Sequence, residues 1–177
     1  MDHIQYPFSK SSSEEIQRIL KYEGIMCFQT ETVYGLGGNA LSSKVVEKIF
    51  TLKKRTPEKS LSVLVNQKWL RRLANWEDSR VDRIIDAFWP GPLSLVLPRR
   101  RNCGLSLLLS AGVDSIAIRV PAHPLAQKFL TKVEHPIAAP SANPSEEISP
   151  TTALHVFYSF LADGSSDNLL VLDGGAC

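Results

Sequence analysis

This sequence lacks the features of disulfide-bonded, zinc-binding and membrane proteins. Its three cysteines, Cys27, Cys103 and Cys177, are far apart, with no CxxC pair and no Cys/His spacing typical of zinc. No apolar run approaches the length of a membrane span, and the first ten residues contain no apolar stretch of the kind found in secretion signals. We therefore expect a soluble protein of the reducing cytoplasm.

Several motifs of nucleotide-binding and nucleophilic enzymes are also missing. There is no GxxxxGK(S/T) phosphate loop and no GxSxG nucleophile elbow, and the four histidines occur at no metal-ligand spacing. Residues 35–40, GLGGNA, match the dinucleotide pattern GxGxxA, but the next apolar run ends in LVNQ (residues 64–67) without the carboxylate that would bind the ribose. We therefore expect no dinucleotide site, no covalent nucleophile and no metal held by the protein.

Size and composition indicate one globular domain over residues 1–177. Hydrophobic residues make up 44% of the chain and charged residues 21%, values ordinary for a globular protein. The net charge of +2 is too small to imply general affinity for nucleic acid. Local clusters of lysine and arginine must therefore carry any argument for anion binding.

The chain is organised around residues 25–40. The apolar run Ile25 to Phe28 predicts a buried strand, and a polar stretch and three glycines follow it at positions 35, 37 and 38. Ser42 and Ser43 are N-cap candidates for a helix over residues 43–52. Strand, polar loop, glycines and helix form the arrangement that holds ligands in open α/β sheets, although a plain glycine turn is an equally good interpretation.

The remaining pattern predicts an α/β fold with a largely buried sheet. Helices are expected over residues 67–74, 79–88 and 124–131, and a further helix is expected to begin at Ser149 and Pro150. In the helix over 79–88, the residues predicted to face inward are Val81, Ile84, Ile85 and Phe88. Further strands are predicted over residues 61–65, 93–97, 115–120, 137–139 and 169–172.

Cations and hydroxyl groups gather near the predicted strand ends, while no nucleophile–base pair stands out. Arg119 lies in an otherwise apolar strand and needs a partner, which is either a structural salt bridge or a carboxylate or phosphate ligand. The inventory suits an enzyme that positions a polyphosphate and stabilises charge. Its members are Thr30, Glu31, Thr32, Tyr34, Lys53, Arg55, Lys59, Ser115, Arg119, Ser141 and Asn143.

Taken in order, these segments resemble the YrdC-like family of threonylcarbamoyl-AMP synthases over residues 14–175. The matching segments are TETVYGLG (30–37), KKR (53–55) with KSLSVLV (59–65), FWPGPL (88–93), SIAIRVPAHP (115–124) and PIAAPSAN (136–143) with SPT (149–151). The resemblance implies a twisted mixed α/β sheet with flanking helices around a basic concave cavity. It also implies a reaction that joins L-threonine, bicarbonate or CO₂, and ATP into threonylcarbamoyl-AMP and pyrophosphate. Partner proteins would then transfer the threonylcarbamoyl group to adenosine 37 of tRNA.

The resemblance also assigns roles to individual residues. ATP would be bound by Lys53, Arg55, Lys59, Ser115, Ser141, Asn143 and Ser149. L-Threonine or its carbamate would be contacted by Thr30, Thr32, Tyr34, Arg119 and Ala139. Mg²⁺ would accompany ATP and be held by substrate oxygens more than by protein.

The sequence departs from the family pattern in ways that keep alternatives open. Gln29, Thr56 and Ser60 stand where the family commonly has proline. The chain ends at Cys177, without the GxxSTV segment and C-terminal domain of longer members, so the threonine pocket is expected to be open on one side or closed by other residues. The alternatives are a non-catalytic RNA-binding module, with weak RNA binding through the basic cavity, and a related domain that adenylates a different carbamate.

Overall fold

A computed structural model of the chain describes residues 4–5, 16–19, 22–160 and 169–177. The strands are β1 (Ile4–Gln5), β2 (Ile25–Gln29), β3 (Tyr34–Asn39), β4 (Val63–Leu64), β5 (Leu95–Pro98), β6 (Ser115–Arg119), β7 (Ile137–Ala138) and β8 (Leu170–Leu172). The helices are α1 (Ser43–Leu52), α2 (Leu70–Leu73), α3 (Ser79–Phe88), α4 (Pro124–Lys132) and α5 (Ala153–Phe160). Residues 16–19 are also helical, and Gln67–Trp69 and Leu107–Ser110 form 3₁₀ turns.

The eight strands form one mixed sheet in the order β1-β8-β2-β3-β7-β4-β6-β5. Strand β8 runs parallel to both β1 and β2, and β4 runs parallel to β6. The β2/β3, β3/β7, β4/β7 and β5/β6 pairs are antiparallel. The predicted α/β class with a mixed sheet is therefore confirmed.

Apolar side chains pack on both faces of the sheet. Along β2, Cys27 belongs to one buried cluster while Met26 and Phe28 belong to the other, the alternation expected of a strand covered on both sides. Helices α1 and α5 pack on the Cys27 side. Helix α4 packs on the opposite side, where the ring centroids of Phe28 and Phe129 are 4.8 Å apart.

The glycines after β2 lie in a strand, which corrects the expectation of a glycine loop. Gly37 and Gly38 belong to β3 and pair with Met26 and Ile25 of β2. A Cβ atom on Gly37 would lie 2.5 Å from Cε1 of Phe28, and one on Gly38 would lie 2.4 Å from Cγ1 of Val45. These glycines therefore allow neighbouring side chains to pack against the β3 backbone, whereas the sequence suggested approach by a ligand.

Helix α1 has its predicted bounds and is capped by the Ser42 hydroxyl. Helices α5 and α3 differ from expectation, the first in where it begins and the second in which residues it buries. Helix α5 begins at Ala153, because the carbonyl oxygen of Pro150 accepts a hydrogen bond from the amide of Tyr34, 2.8 Å away, and the segment before the helix lies along β3. Helix α3 buries Ile85 but leaves Ile84 and Phe88 exposed. No helix in the described ranges is long and apolar enough to cross a membrane.

We predict that Gly38→Ala destabilises the protein by about 1–3 kcal/mol, because the added methyl group would overlap the buried side chain of Val45. Gly35→Ala is the matched control, because its Cβ would find its nearest neighbour at an ordinary 3.7 Å. Urea unfolding of both variants measures the difference. Equal stability losses in the two variants would contradict this account of β3.

Candidate functional site

Most of the predicted site residues lie in four segments that meet around β3. These are the turn between β2 and β3, the loop that follows α1, strand β6, and the segment from β7 to α5. The amide of Leu36 donates to Pro140 O and the amide of Ala142 donates to Tyr34 O, both over 2.8 Å, so the segment after β7 extends along the first half of β3. This pairing brings the small-residue loop beside the turn between β2 and β3.

The Arg119 guanidinium connects the β2–β3 turn to the end of β6. Its Nε donates to the carbonyl oxygen of Gly91 over 3.0 Å, and its Nη1 donates to Oγ1 of Thr32 over 3.1 Å. Its Nη2 lies 2.7 Å from Oε1 of Glu31, and only 12% of the Arg119 side chain is exposed. Of the two interpretations that the sequence left open, the structure contains the salt bridge. A guanidinium has five N–H donors, so this pairing leaves donors for an anionic ligand.

Glu31 is held from two sides. Its carboxylate accepts hydrogen bonds from the backbone amides of Ala122 (2.9 Å) and His123 (3.2 Å), which lie just before α4. Burial opposes ionisation of this carboxyl, but the Ala122 amide and the Arg119 guanidinium outweigh it and lower the pKa of Glu31 below its ordinary value. The Glu31 carboxylate is therefore ionised at neutral pH.

Thr30 and Thr32, which were both predicted to contact L-threonine, form a chain of hydrogen bonds that runs in one direction. The hydroxyl of Thr30 donates to Val33 O over 2.6 Å, and the hydroxyls of Thr30 and Thr32 are 3.0 Å apart. A hydroxyl has one proton, so Thr32 must be the donor in that pair while it accepts from Arg119. Thr30 is buried and closes the turn, whereas Thr32 is exposed and stands beside the guanidinium.

Lys53 has a position that its sequence context does not indicate. The residue is buried, and its ammonium group donates to the carbonyl oxygens of Ser141, over 2.6 Å, and Asn143. Burial, and to a lesser degree the positive charge of Arg55, lowers the pKa of Lys53 to about 8. The predicted ATP contact of Lys53 stays a prediction, but its ammonium already holds the loop that carries two other predicted ATP ligands.

The other two cations of the predicted ATP set lie on the loop after α1. Arg55 donates through Nε to Lys59 O (3.0 Å) and through Nη2 to Ser60 O (2.8 Å), so its side chain closes that loop. The ammonium of Lys59 lies 2.5 Å from Oε1 of Glu146, and both side chains are largely exposed. A phosphate ligand would compete with Glu146 for Lys59.

Three further predicted residues surround this region. Ser115 and Arg119 lie on the same face of β6, because Ile116 and Ile118 between them are buried on the other face. The two are four positions apart along the strand, a distance of about 13 Å, so they cannot contact the same small group. Ala139 is buried; its amide donates to Ser62 O, and its carbonyl oxygen accepts from the Ser62 hydroxyl. The last, Ser149, precedes the Pro150 carbonyl that pairs with β3.

Tyr34 was also predicted to contact L-threonine, but its hydroxyl is bound by the C-terminal segment. Its ring is fully buried, and its hydroxyl lies 3.0 Å from Oδ1 of Asp173 and 2.7 Å from Gly175 O. The amide of Gln29 also binds this segment, donating to Ala176 O over 2.8 Å. Gln29, which the sequence marked only as a departure from proline, therefore helps Tyr34 to hold residues 173–177.

Three carboxylates in this region have partners that sequence reasoning did not identify, although it counted Glu31 among the candidate site residues. Glu31 pairs with Arg119, Glu146 with Lys59, and Asp173 with Tyr34. The need of an arginine in an apolar strand for a partner was a signal for the first pair, but nothing in local spacing identified which carboxylate would serve. The other two pairs join residues 87 and 139 positions apart and have no local signature.

Comparison with known proteins gives consistent matches. Residues 18–177 match the Sua5_yciO_yrdC family model, described as "Telomere recombination". The chain is 40% identical over 152 residues to a threonylcarbamoyl-AMP synthase of Pyrococcus abyssi, covering 85% of this chain and 43% of that protein. It is 39% identical over 158 residues to the threonylcarbamoyl-AMP synthase of Bacillus subtilis, covering 89% and 44%. The chain thus spans less than half the length of these relatives.

A solved structure is similar as well. The crystal structure of P. abyssi Sua5 complexed with L-threonine matches with a TM-score of 0.88 and 35% identity, over 98% of this chain and 49% of that one. The two chains therefore share a fold over nearly all of this one.

We predict that Lys53 makes the stability of the protein depend on pH. Its pKa is about 8 in the folded protein and about 10.4 in an unfolded chain, so between these values the unfolded state binds more protons. Below about pH 8 the folded protein bears the full cost of burying the charged ammonium. That cost disappears as the pH rises to about 10.4, so the stability that deprotonation of Lys53 adds is complete above that pH. From pH 8 to 10, the free energy of unfolding of the wild type should rise relative to Lys53→Met, by an amount on the order of 2 kcal/mol.

Urea unfolding at pH 7 to 10 measures this difference. Lys54→Met is the control, because it removes a neighbouring exposed ammonium. A difference between wild type and Lys53→Met that stays constant with pH would show that the buried ammonium keeps its proton throughout.

Proposed function

The chain belongs to the Sua5/YciO/YrdC family, and from this premise we propose that it is an L-threonylcarbamoyladenylate synthase. It would form threonylcarbamoyl-AMP and pyrophosphate from L-threonine, bicarbonate or CO₂, and ATP. The relatives from P. abyssi and B. subtilis carry the name of this enzyme, and the P. abyssi structure contains L-threonine.

The observation that carries the proposal is the setting of Arg119. Its guanidinium is nearly buried, has a protein partner at each of its three nitrogens, and one of these partners is the hydroxyl of the exposed Thr32. A guanidinium fork binds a carboxylate strongly and with defined geometry. Arg119 would bind the threonine carboxylate, and Thr30, Thr32, Tyr34 and Ala139 would shape the surroundings of the amino acid.

The nucleotide would lie along the loops on the other side of β3. Arg55 and Lys59 would bind the phosphates, with Lys53 beneath them, and these cations would form the basic part of the cavity. The hydroxyls of Ser115, Ser141 and Ser149 and the amide of Asn143 would contact the rest of ATP. The spacing of about 13 Å between Ser115 and Arg119 suits a site that holds two substrates side by side.

The proposed chemistry needs positioned charge more than a nucleophilic side chain. The threonine amine would form an N-carboxylate, one oxygen of which would attack the α-phosphate as pyrophosphate leaves. Binding both substrates together makes this step intramolecular in effect, and cations at the phosphates stabilise the charge that develops. Because carbamates decompose in water, the segments around β3 would also have to exclude solvent.

Mg²⁺ would enter with ATP and be held mainly by phosphate oxygens. Within the described ranges no group of three His, Cys, Asp or Glu side chains is arranged to hold a metal, and the nearby Glu146 is paired with Lys59. The product would pass to a tRNA threonylcarbamoyltransferase system acting on adenosine 37, which would place the protein in the cytoplasm.

We predict that pyrophosphate release from ATP requires both L-threonine and bicarbonate. Arg119→Ala should lower this activity by at least about a hundredfold, because it removes the carboxylate ligand, and Arg55→Ala should do the same by weakening phosphate binding. Arg101→Ala, which removes an exposed arginine of the β5–β6 turn, is the control and should leave the rate unchanged. A coupled pyrophosphate assay measures all four proteins.

The same assay separates the alternatives. Release that follows serine as readily as threonine would point to adenylation of a different carbamate. No release, together with RNA affinity that falls steeply with salt, would favour an RNA-binding module. Unchanged activity in Arg119→Ala would remove the main support for the threonine site.

A further inference from the structure

The Glu31 carboxylate has an unusual number of fixed partners for a side chain with no assigned role. It lies 2.7 Å from Arg119 Nη2 and accepts hydrogen bonds from the amides of Ala122 and His123. Only 20% of the Glu31 side chain and 12% of the Arg119 side chain is exposed. The two amides belong to the backbone, so their positions do not depend on side-chain rotamers.

We propose that Glu31 is a positioning residue that fixes the Arg119 guanidinium for the carboxylate of the amino-acid substrate. The inference rests on the proposed function for the identity of that substrate. Glu31 itself need not touch the substrate, because it acts through the arginine.

The three protein groups that contact the Arg119 guanidinium hold it in different ways. Gly91 O and the Thr32 hydroxyl fix two of its nitrogens but carry no charge. Glu31 adds the only one of these contacts that is ionic, with its Oε1 2.7 Å from Nη2. Solvent screens the attraction between two largely buried opposite charges less than it would at the surface. An arginine side chain loses considerable rotamer freedom when it binds a ligand, and holding it in place beforehand removes that loss from the binding step.

A second anion beside Arg119 opposes binding of a substrate carboxylate, but the amides before α4 reduce this effect. The charge of Glu31 is shared between the guanidinium and two N–H groups at the start of a nine-residue helix, where the backbone favours negative charge. Arg119 therefore keeps part of its positive charge for a ligand. The lowered pKa of Glu31 is consistent with this double support.

The test replaces Glu31 by glutamine, which keeps an acceptor oxygen and removes the charge. Asp82→Asn is the matched control, because Asp82 also pairs with an arginine (Arg71, 2.9 Å), yet both side chains are more than half exposed. The first readout is the side-chain Nε–H resonance of Arg119 in ¹⁵N spectra, identified by its absence in Arg119→Lys. The wild type and Asp82→Asn should show a slowly exchanging Nε–H, and Glu31→Gln should lose that protection.

The second readout is steady-state kinetics of pyrophosphate release. Glu31→Gln should raise KM for L-threonine by about tenfold with KM for ATP changed by less than about twofold, the loss expected for one charge-assisted contact. In an Arg119→Lys background the same substitution should have little further effect, because the residue that it positions has already been replaced.

The two readouts keep this inference separate from the proposed function. If Arg119 Nε–H protection is unchanged in Glu31→Gln, or if KM for ATP rises as much as KM for L-threonine and the variant also loses thermal stability, the positioning role is overturned. If protection depends on Glu31 but no protein releases pyrophosphate with threonine, the positioning of Arg119 stands and the proposed substrate fails.

Discussion

Close packing against the backbone of β3 determines where the polar segments of this protein meet. Gly37 and Gly38 leave room for Phe28 on one side and Val45 on the other, so both layers of the core approach the strand directly. The first half of β3 then pairs with the segment after β7 and with the Pro150 carbonyl. Backbone pairing therefore brings the segment from β7 to α5 beside the first half of β3, and the side chains of Lys53 and Arg119 then connect the neighbouring loop and strand to it.

Two cations beneath this region are stabilised in different ways. Lys53 is satisfied by neutral carbonyl oxygens, which cannot cancel its charge, and its pKa falls to about 8 as a result of burial. Arg119 has an ionic partner and keeps that partner ionised. An uncompensated ammonium costs stability but retains its full field for nearby anions, whereas a compensated guanidinium is held rigidly and offers mainly its hydrogen-bond geometry.

How far the sequence predicted this arrangement depends on the range of the interaction. The bounds of α1 follow from its N-cap, which is a local signal, and they were predicted. Four apolar residues at helical spacing predicted an inward face for α3, yet Ile84 and Phe88 are exposed, because the tertiary environment decides which residues are covered. The same limit applies to the site: segments rich in cations and hydroxyls were identifiable, but the partner of Arg119 lies 88 positions away and depends on how the β2–β3 turn folds against β6.

The ion pairs in the two proposed substrate regions differ in a way that fits their tasks. Lys59 and Glu146 are exposed, so solvent screens their attraction and the pair contributes little stability that a ligand would have to overcome. An incoming phosphate can replace the Glu146 carboxylate at small cost. Arg119 and Glu31 are largely buried, and breaking their contact would leave charges poorly solvated. Under the proposed function, a substrate carboxylate would therefore bind in addition to Glu31 and not in its place, and the amino-acid end of the site would be the more rigid of the two.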